Sequence, residues 1–442
     1  MTQGVTRPWW ADAVVYQVYP RSFADSDGDG IGDLAGLRDR LPYLAELGVD
    51  AIWLTPFYPS PLADGGYDVS DYRDVDPRLG TLEDFGALVE AAAEQHIRVL
   101  VDLVPNHCSA DHPLFRQALA AGPGSPERDM FIFREGKGPG GAAPPNNWPS
   151  NFGGPAWTRV GDGQWYLHLF DSRQPDWNWR DPRVPAMFAD VIRFWLDRGA
   201  AGLRVDVAHG VFKDPDLADT PTTVRSIKPS GYYHRPEIHD LYRSWRTILD
   251  SYPADVFPGQ RTAVGEVWYD THATLAPYLA PDGLPQVFNF ELVTVTWDTA
   301  LIRAAIDATL ALPGGSRAPW VLGNHDVVRP VTRFGVDAAR PRLPPHRGKG
   351  PRPRRLPGPA PLGLRRGLFR IFPNEPGFLS GGTLAPPAGG LGPVQRGRPA
   401  GRPLLLLAPV PGRAAAAPGS AGARRRGPAM AGGPAGRAVL RS

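Results

Sequence analysis

From residue 13 to residue 323 this 442-residue chain repeats one pattern: a short apolar, β-rich run, then a segment with apolar residues at helical spacing. Strands that alternate with helices pair in parallel, with the helices covering the faces of the sheet. The strand-like runs fall at 13–19, 50–54, 98–104, 201–208, 262–268, 285–292 and 319–323. Between them, Leu34, Leu37, Leu41 and Leu44 form one helical stripe. Residues 81–95 read as a helix with Thr81 as N-cap and Asp84 at N3, and 184–198 and 297–311 as two more. Three of the runs lead into acids: Gly202-Leu203-Arg204-Val205-Asp206, Val264-Gly265-Glu266-Val267-Trp268 and Val321-Leu322-Gly323-Asn324-His325-Asp326. A barrel of such units would gather these carboxylates at one face, where barrel enzymes keep their chemistry. Seven strands precede residue 340, one short of a closed eight-stranded barrel.

The pattern stops near Arg340. Residues 341–442 carry 17 Arg, one Lys and a single acid, Glu375, with 20 Pro and 20 Gly, whereas the preceding 340 residues are net acidic. The overall charge of +3 therefore averages two unlike regions. Runs such as Pro351-Arg352-Pro353-Arg354-Arg355 do not support strands or helices of ordinary length, so a disordered tail is expected. Reading a GC-rich coding sequence out of frame produces the same kind of text, and a nucleic-acid-binding arm is the functional alternative. Residues 1–107, 176–338 and 339–442 thus read as first barrel part, second barrel part and tail. Residues 108–175, loop-rich and full of Gly, Pro, Asn and Trp, read as an insertion after the third strand. No run approaches the eighteen apolar residues of a membrane span, no secretory h-region follows Met1, and Cys108 is the single cysteine. A cytoplasmic protein without a membrane or nucleic-acid partner is the expectation.

Further motifs fit the three acids. Asp102-Leu103-Val104-Pro105-Asn106-His107 ends the third strand, Gln174-Pro175-Asp176-Trp177-Asn178-Trp179 ends the insertion, and Gly65-Gly66-Tyr67-Asp68 follows the second strand. In this order the motifs resemble those of the α-amylase family of glycoside hydrolases, within it the α-glucosidase and oligo-1,6-glucosidase group. The resemblance covers about Asp12 to Gly335. It implies a (β/α)8 barrel with an inserted B domain and a C-terminal β domain, although strand eight and that β domain are not recognisable here. It implies a catalytic set in which Asp206 is the nucleophile, Glu266 the general acid/base and Asp326 the third, sugar-binding acid. Arg204 would keep Asp206 ionised, and Glu266 would need a raised pKa. Tyr67 would stack on the terminal sugar and Asp68 would bind its far hydroxyls, favouring action at non-reducing ends. His107, Gln174, His325 and Arg329 complete the implied substrate-binding set, and Val207 resembles the 1,6-acting members.

These assignments imply retaining hydrolysis of α-1,4 or α-1,6 bonds in short α-gluco-oligosaccharides by a monomeric enzyme. Transglycosylation or sugar isomerisation is the alternative within the family, and an incomplete relative that binds carbohydrate without turnover is another. Asp25-Ser26-Asp27-Gly28-Asp29-Gly30-Ile31-Gly32-Asp33 has oxygen ligands at the spacing of a Ca2+ loop. Gly36 stands where a sensor EF-hand has its bidentate glutamate. The segment resembles the family's loop after strand one, with Asp25, Asp27, Asp29, the Ile31 carbonyl and Asp33 as ligands of a structural Ca2+ or Mg2+.

Overall fold

A computed structural model describes residues 7–221, 227–334 and 370–372. Its strands, numbered along the chain, begin with β1 (Val14–Val18), β2 (Ala51–Leu54) and β3 (Arg98–Leu103). An inserted segment holds β4 (Phe133–Glu135), β5 (Trp157–Arg159) and β6 (Gln164–Leu167), and β7 (Gly202–Val205), β8 (Thr262–Gly265), β9 (Gln286–Val287) and β10 (Arg370–Phe372) follow. One parallel sheet has the order β10-β1-β2-β3-β7-β8-β9. Every residue of β2, β7 and β8 is buried, as expected where helices cover one face and the barrel interior the other. The sheet curls: Gln17 on β1 and His325, beyond β9, meet with Nε2 and Nδ1 2.8 Å apart.

The covering helices form where the apolar stripe and the caps agree. Thr81 and Asp84 make a reciprocal capping box at the head of helix Leu82–Glu94. Helix Arg183–Asp197 buries Val184, Phe188, Val191, Ile192, Trp195 and Leu196 on one face. Its Trp195 packs edge-on against Phe57 and Phe85, with centroids 5.1 and 4.9 Å away. Burying each such side chain stabilises the fold by about 1.5–3 kcal/mol.

Three readings from the sequence are corrected. The stripe from Leu34 to Leu44 is two helices, Leu34–Asp39 and Leu41–Leu47, because Pro42 cannot continue a helical hydrogen-bond ladder and instead sits in the first turn of the second. The run 319–323 contributes one parallel bridge, Asn289 to Trp320, rather than a strand. A strand also exists where none was recognised: β10 pairs in parallel with β1, Val14 opposite Arg370 and Tyr16 opposite Phe372. Its short apolar run, Leu368-Phe369-Arg370-Ile371-Phe372, is hidden in Gly, Pro and Arg text. The disorder expected for the rest of 339–442 lies outside the described residues.

The insertion contains a three-stranded antiparallel sheet, β4-β6-β5. Its two ends are tied together beside the barrel mouth by antiparallel bridges between His107 and Asp176 and between Phe131 and Trp177. The apolar edge near the described C-terminal end is more open, with Trp297 60% exposed and 5.0 Å from Phe334.

Candidate active site

The ends of β3, β7 and β8 converge on one buried guanidinium. Arg204 is 1% exposed. Its Nη1 lies 2.9 Å from Asp102 Oδ1 and 2.6 Å from Asp206 Oδ1, and its Nη2 lies 2.8 Å from Glu266 Oε2. Neighbouring parallel strands in register produce this convergence, since Asp102 stands opposite Arg204 and Arg204 opposite Val264. Trp53 stands above the guanidinium, its ring centroid 4.8 Å from Cζ. Trp53 Nε1–H and Tyr67 O–H both donate to Asp102 Oδ2 at 3.0 Å, which fixes that carboxylate beneath the arginine.

Asp206 and Glu266 differ in their donors. Glu266 Oε2 accepts from the Val207 N–H at 3.0 Å, and Oε1 accepts from Trp268 Nε1–H at 3.0 Å. Val207 reaches that position with φ of 43°, in the left-handed region that β-branched residues rarely enter. Burial works against ionisation of Glu266, but Arg204, the Val207 N–H, Asp206 and Trp268 outweigh it and hold the carboxyl below its ordinary range. Arg204 is the cation that favours an ionised Asp206, but burial, together with Glu266 and Asp102, outweighs it and pushes Asp206 well above the usual carboxylate range. The expected pattern, with Asp206 ionised and Glu266 raised, is thus reversed in the free site. One cation divided among three carboxylates cannot hold each of them down. Asp102 is likewise pushed up to about 7 by burial, against the pull of Arg204.

The loop after β2 turns through Gly65 and Gly66, with φ of 62° and 113°, before Tyr67 and Asp68. Tyr67 lies parallel to the His325 imidazole, with centroids 5.2 Å apart, and this contact draws the third acid's segment to the site. Asp68 is not exposed at all. Its Oδ1 accepts from Ser60 Oγ (2.8 Å) and the Asp64 N–H (3.1 Å), and its Oδ2 accepts from the Ala63 N–H (2.7 Å). These three bonds spend the Asp68 oxygens on shaping the loop rather than on facing the pocket. Asp64 is the half-buried carboxylate that this loop presents, 3.1 Å from Gln174 Nε2. Burial, with Asp68 and Asp326 nearby, pushes Asp64 up to about 7, against the lowering hydrogen bond from Gln174. Two aspartates flank Gly65-Gly66-Tyr67, and spacing alone does not say which faces inward.

Gln174 Nε2 is 3.0 Å from His107 Nε2, and Asn106 Nδ2 is 3.0 Å from His107 Nδ1. Burial, reinforced by the Lys213 cation, lowers His107 to about 3, so its ring is neutral. Asp326 is 31% exposed by side chain, with Oδ1 3.4 Å from His325 Nε2. Its Oδ2 accepts from Asn324 Nδ2 at 3.2 Å. Arg329 Nη1 donates to the Asn324 carbonyl and so braces that turn.

Sequence reading missed Lys213, Trp268 and Asp64. Lys213 Nζ is 2.9 Å from Asp176 Oδ2 and 2.6 Å from both Asn106 Oδ1 and the Gly210 carbonyl. A lysine directly after Gly210-Val211-Phe212 was the available signal.

In the loop after β1, Asp25, Asp27 and Asp29 each bring a carboxylate oxygen within 4.8 Å of the others. Asp33, the fourth aspartate of the expected ligand set, also holds the end of the loop. Its Oδ1 caps helix Leu34–Asp39 through the Gly36 N–H (2.6 Å), and its Oδ2 accepts from Ser26 N–H and Oγ–H (2.9 Å each).

The alpha amylase catalytic-domain family model matches residues 17–344. Maltase 1 of Drosophila virilis is 40% identical over 350 residues, which cover 74% of this chain and 54% of that protein. Oligo-1,6-glucosidase of Parageobacillus thermoglucosidasius is 39% identical over 350 residues, covering 75% and 60%. The crystal structure of the α-glucosyl transfer enzyme XgtA superposes with a TM-score of 0.68 at 39% identity, covering 75% of this chain and 64% of that one. The chain therefore spans roughly half to two thirds of the length of these relatives. With most of its length matched, and with its strand ends converging on three carboxylates around one arginine, the chain belongs to the α-amylase family.

Proposed function

We propose that this protein is a retaining α-glucosidase acting on short α-gluco-oligosaccharides, as a cytoplasmic monomer. The observation that carries the reading is the Arg204 centre, which holds two candidate reacting carboxylates, Asp206 and Glu266, at the ends of adjacent strands. Asp206 attacks the anomeric carbon while Glu266 gives its proton to the leaving oxygen. Glu266 then takes a proton from water as that water opens the glycosyl-enzyme, so the anomeric configuration is kept. For this step the proton must sit on Glu266 at the moment of attack. Asp326 binds sugar hydroxyls beside the reacting centre, and the neutral His107 supplies a further hydrogen bond. Asp64, with Gln174, closes the far end of the pocket, in place of the role expected of Asp68.

Product analysis tests the reading. An aryl α-glucoside, whose glucose comes from the glycone alone, should release α-glucose first, followed by NMR before mutarotation; β-glucose as the first product would sink the reading. Transfer is the second reading, supported by the likeness to an α-glucosyl transfer enzyme. Oligosaccharide products longer than the substrate, formed at low substrate concentration, would favour it.

The Asp25–Asp27–Asp29 cluster is an all-oxygen donor set of the kind that suits Ca2+ or Mg2+. Each carboxylate also accepts backbone N–H, Asp25 from Gly28 at 2.6 Å, Asp27 from Asp29 and Asp29 from Ile31, which orders the loop. Such an ion would be structural. Chelation should lower the Tm by a few degrees and Ca2+ should restore it; an unchanged Tm would remove the ion from the account.

A further inference from the structure

Glu266 has two oxygens in unlike settings. Oε2 faces two donors, Val207 N–H at 3.0 Å and Arg204 Nη2 at 2.8 Å, which leaves no room for a proton on that oxygen. Oε1 accepts from the indole N–H of Trp268 at 3.0 Å, and a side-chain hydrogen bond also joins Glu266 to Asp206. That indole is held firmly: it is 7% exposed, and its ring lies 4.3 Å from Phe290. It belongs to a buried apolar cluster with Trp53, Val264 and Phe288. An aromatic ring buried this way usually places its polar atom against a partner, and here that partner is the oxygen left available for proton transfer.

We propose that Trp268 is the positioning residue of Glu266: its indole N–H aims Oε1 at the glycosidic oxygen and receives the negative charge that appears there when the proton leaves. This rests on Glu266 being the acid/base. In the first step the proton passes from Oε1 to the leaving oxygen, which also takes the electron pair of the broken C–O bond. Oε1 becomes anionic, and the hydrogen bond from Trp268 changes from neutral to charge-assisted, which roughly doubles its strength. The bond thus strengthens as the step proceeds, which is the condition for accelerating it. The other groups facing Glu266 are Arg204 and Asp206 at the end of β7, Asp102 at the end of β3 acting through Arg204, and His209, whose Nδ1 lies 3.4 Å from the Glu266 carbonyl. Of these groups Asp206 is itself hydrogen-bonded to Glu266, and Trp268 brings a neutral N–H to Oε1.

The test uses the full chain labelled with 15N-tryptophan. The Trp268 indole resonance is assigned by its loss in Trp268→Phe, or in Trp268→Tyr where Phe does not fold. It should move with pH in the wild type and stop moving in Glu266→Gln. In parallel, Trp268→Phe should shift the alkaline limb of kcat/KM on maltose upward by about half to one pH unit, with KM changed less than threefold. A core role alone would change the Tm and leave that limb in place. An indole resonance indifferent to both pH and Glu266→Gln, or an unmoved limb in Trp268→Phe, overturns the proposal. If Glu266→Gln retains full turnover on maltose, the acid/base reading itself falls, and the role of Trp268 falls with it. Loss of turnover in Glu266→Gln with an unmoved limb in Trp268→Phe overturns only the tryptophan's part.

Discussion

Two buried cations lie near the ends of the barrel strands and do different work. Arg204 faces three carboxylates, Asp102, Asp206 and Glu266. Lys213 faces one, Asp176, and its remaining donors reach Asn106 and the Gly210 carbonyl. The lysine centre is balanced in charge, with the cation and the anion neutralising each other. The arginine centre has more acid than one cation can neutralise, and burial with the surplus pushes Asp206 towards its protonated form. A balanced buried pair ties chain segments together, here β3, the end of the insertion and the loop after β7. An unbalanced one shifts the proton affinity of its carboxylates, which is what acid/base chemistry needs.

Substitutions can break or sharpen that contrast. The largest expected effect is Arg204→Lys. An ammonium cannot serve three carboxylates in the fixed fork of a guanidinium, so kcat/KM should fall by about 10²–10³, the range seen when one oriented donor is lost from an active site. Its Tm should fall by a few degrees only. Lys213→Met should show the opposite profile, a loss on the order of 3–5 kcal/mol in unfolding free energy because it leaves Asp176 charged and alone. Adding Asp176→Asn should return part of that loss. A Lys213→Met protein that keeps its stability but loses its rate would place the lysine in the chemistry and erase the distinction.

The smallest effect concerns pH. Asp64 in the folded chain titrates near 7, above the 3.8 of an unperturbed aspartate. The folded state therefore binds the proton more tightly than the unfolded one, so this group's contribution to stability is present below about pH 4. It is lost progressively as the pH rises towards 7, and does not change further above that. Asp64→Asn should then raise the Tm at pH 8 but not at pH 3.5, while raising KM for maltose. An equal Tm shift at both values would show that the proton is not what the substitution removes.

Much of the framework was legible in the sequence. The run 98–104 became Arg98–Leu103, and the helix expected at 81–95 became Leu82–Glu94 with its cap as read. Those elements have hydrophobic period and end signals that agree. The runs at 201–208 and 262–268 were read too long, because the apolar residues past the strand ends serve other purposes. Val207 turns into a left-handed conformation and Trp268 leaves the ladder to reach Glu266. The acids were legible for the same reason, since an ionisable residue at the end of a buried strand stands out. Their protonation was not, because it depends on how three strands share one guanidinium, which no local pattern records. Asp64 and Asp68 differ only in which way a two-glycine turn faces them.

The contact between Gln17 and His325 spans 308 positions of the chain. At ribosomal speeds of 5–20 residues per second, on the order of 15–60 s separate the appearance of one partner from that of the other. During that interval β1 has β2 beside it, but nothing on its other edge and nothing across the mouth. Nascent chains of this protein therefore expose an unpaired strand edge for most of their synthesis. That edge is covered only once Arg370–Phe372 has emerged, so a pause before that point lengthens the exposure.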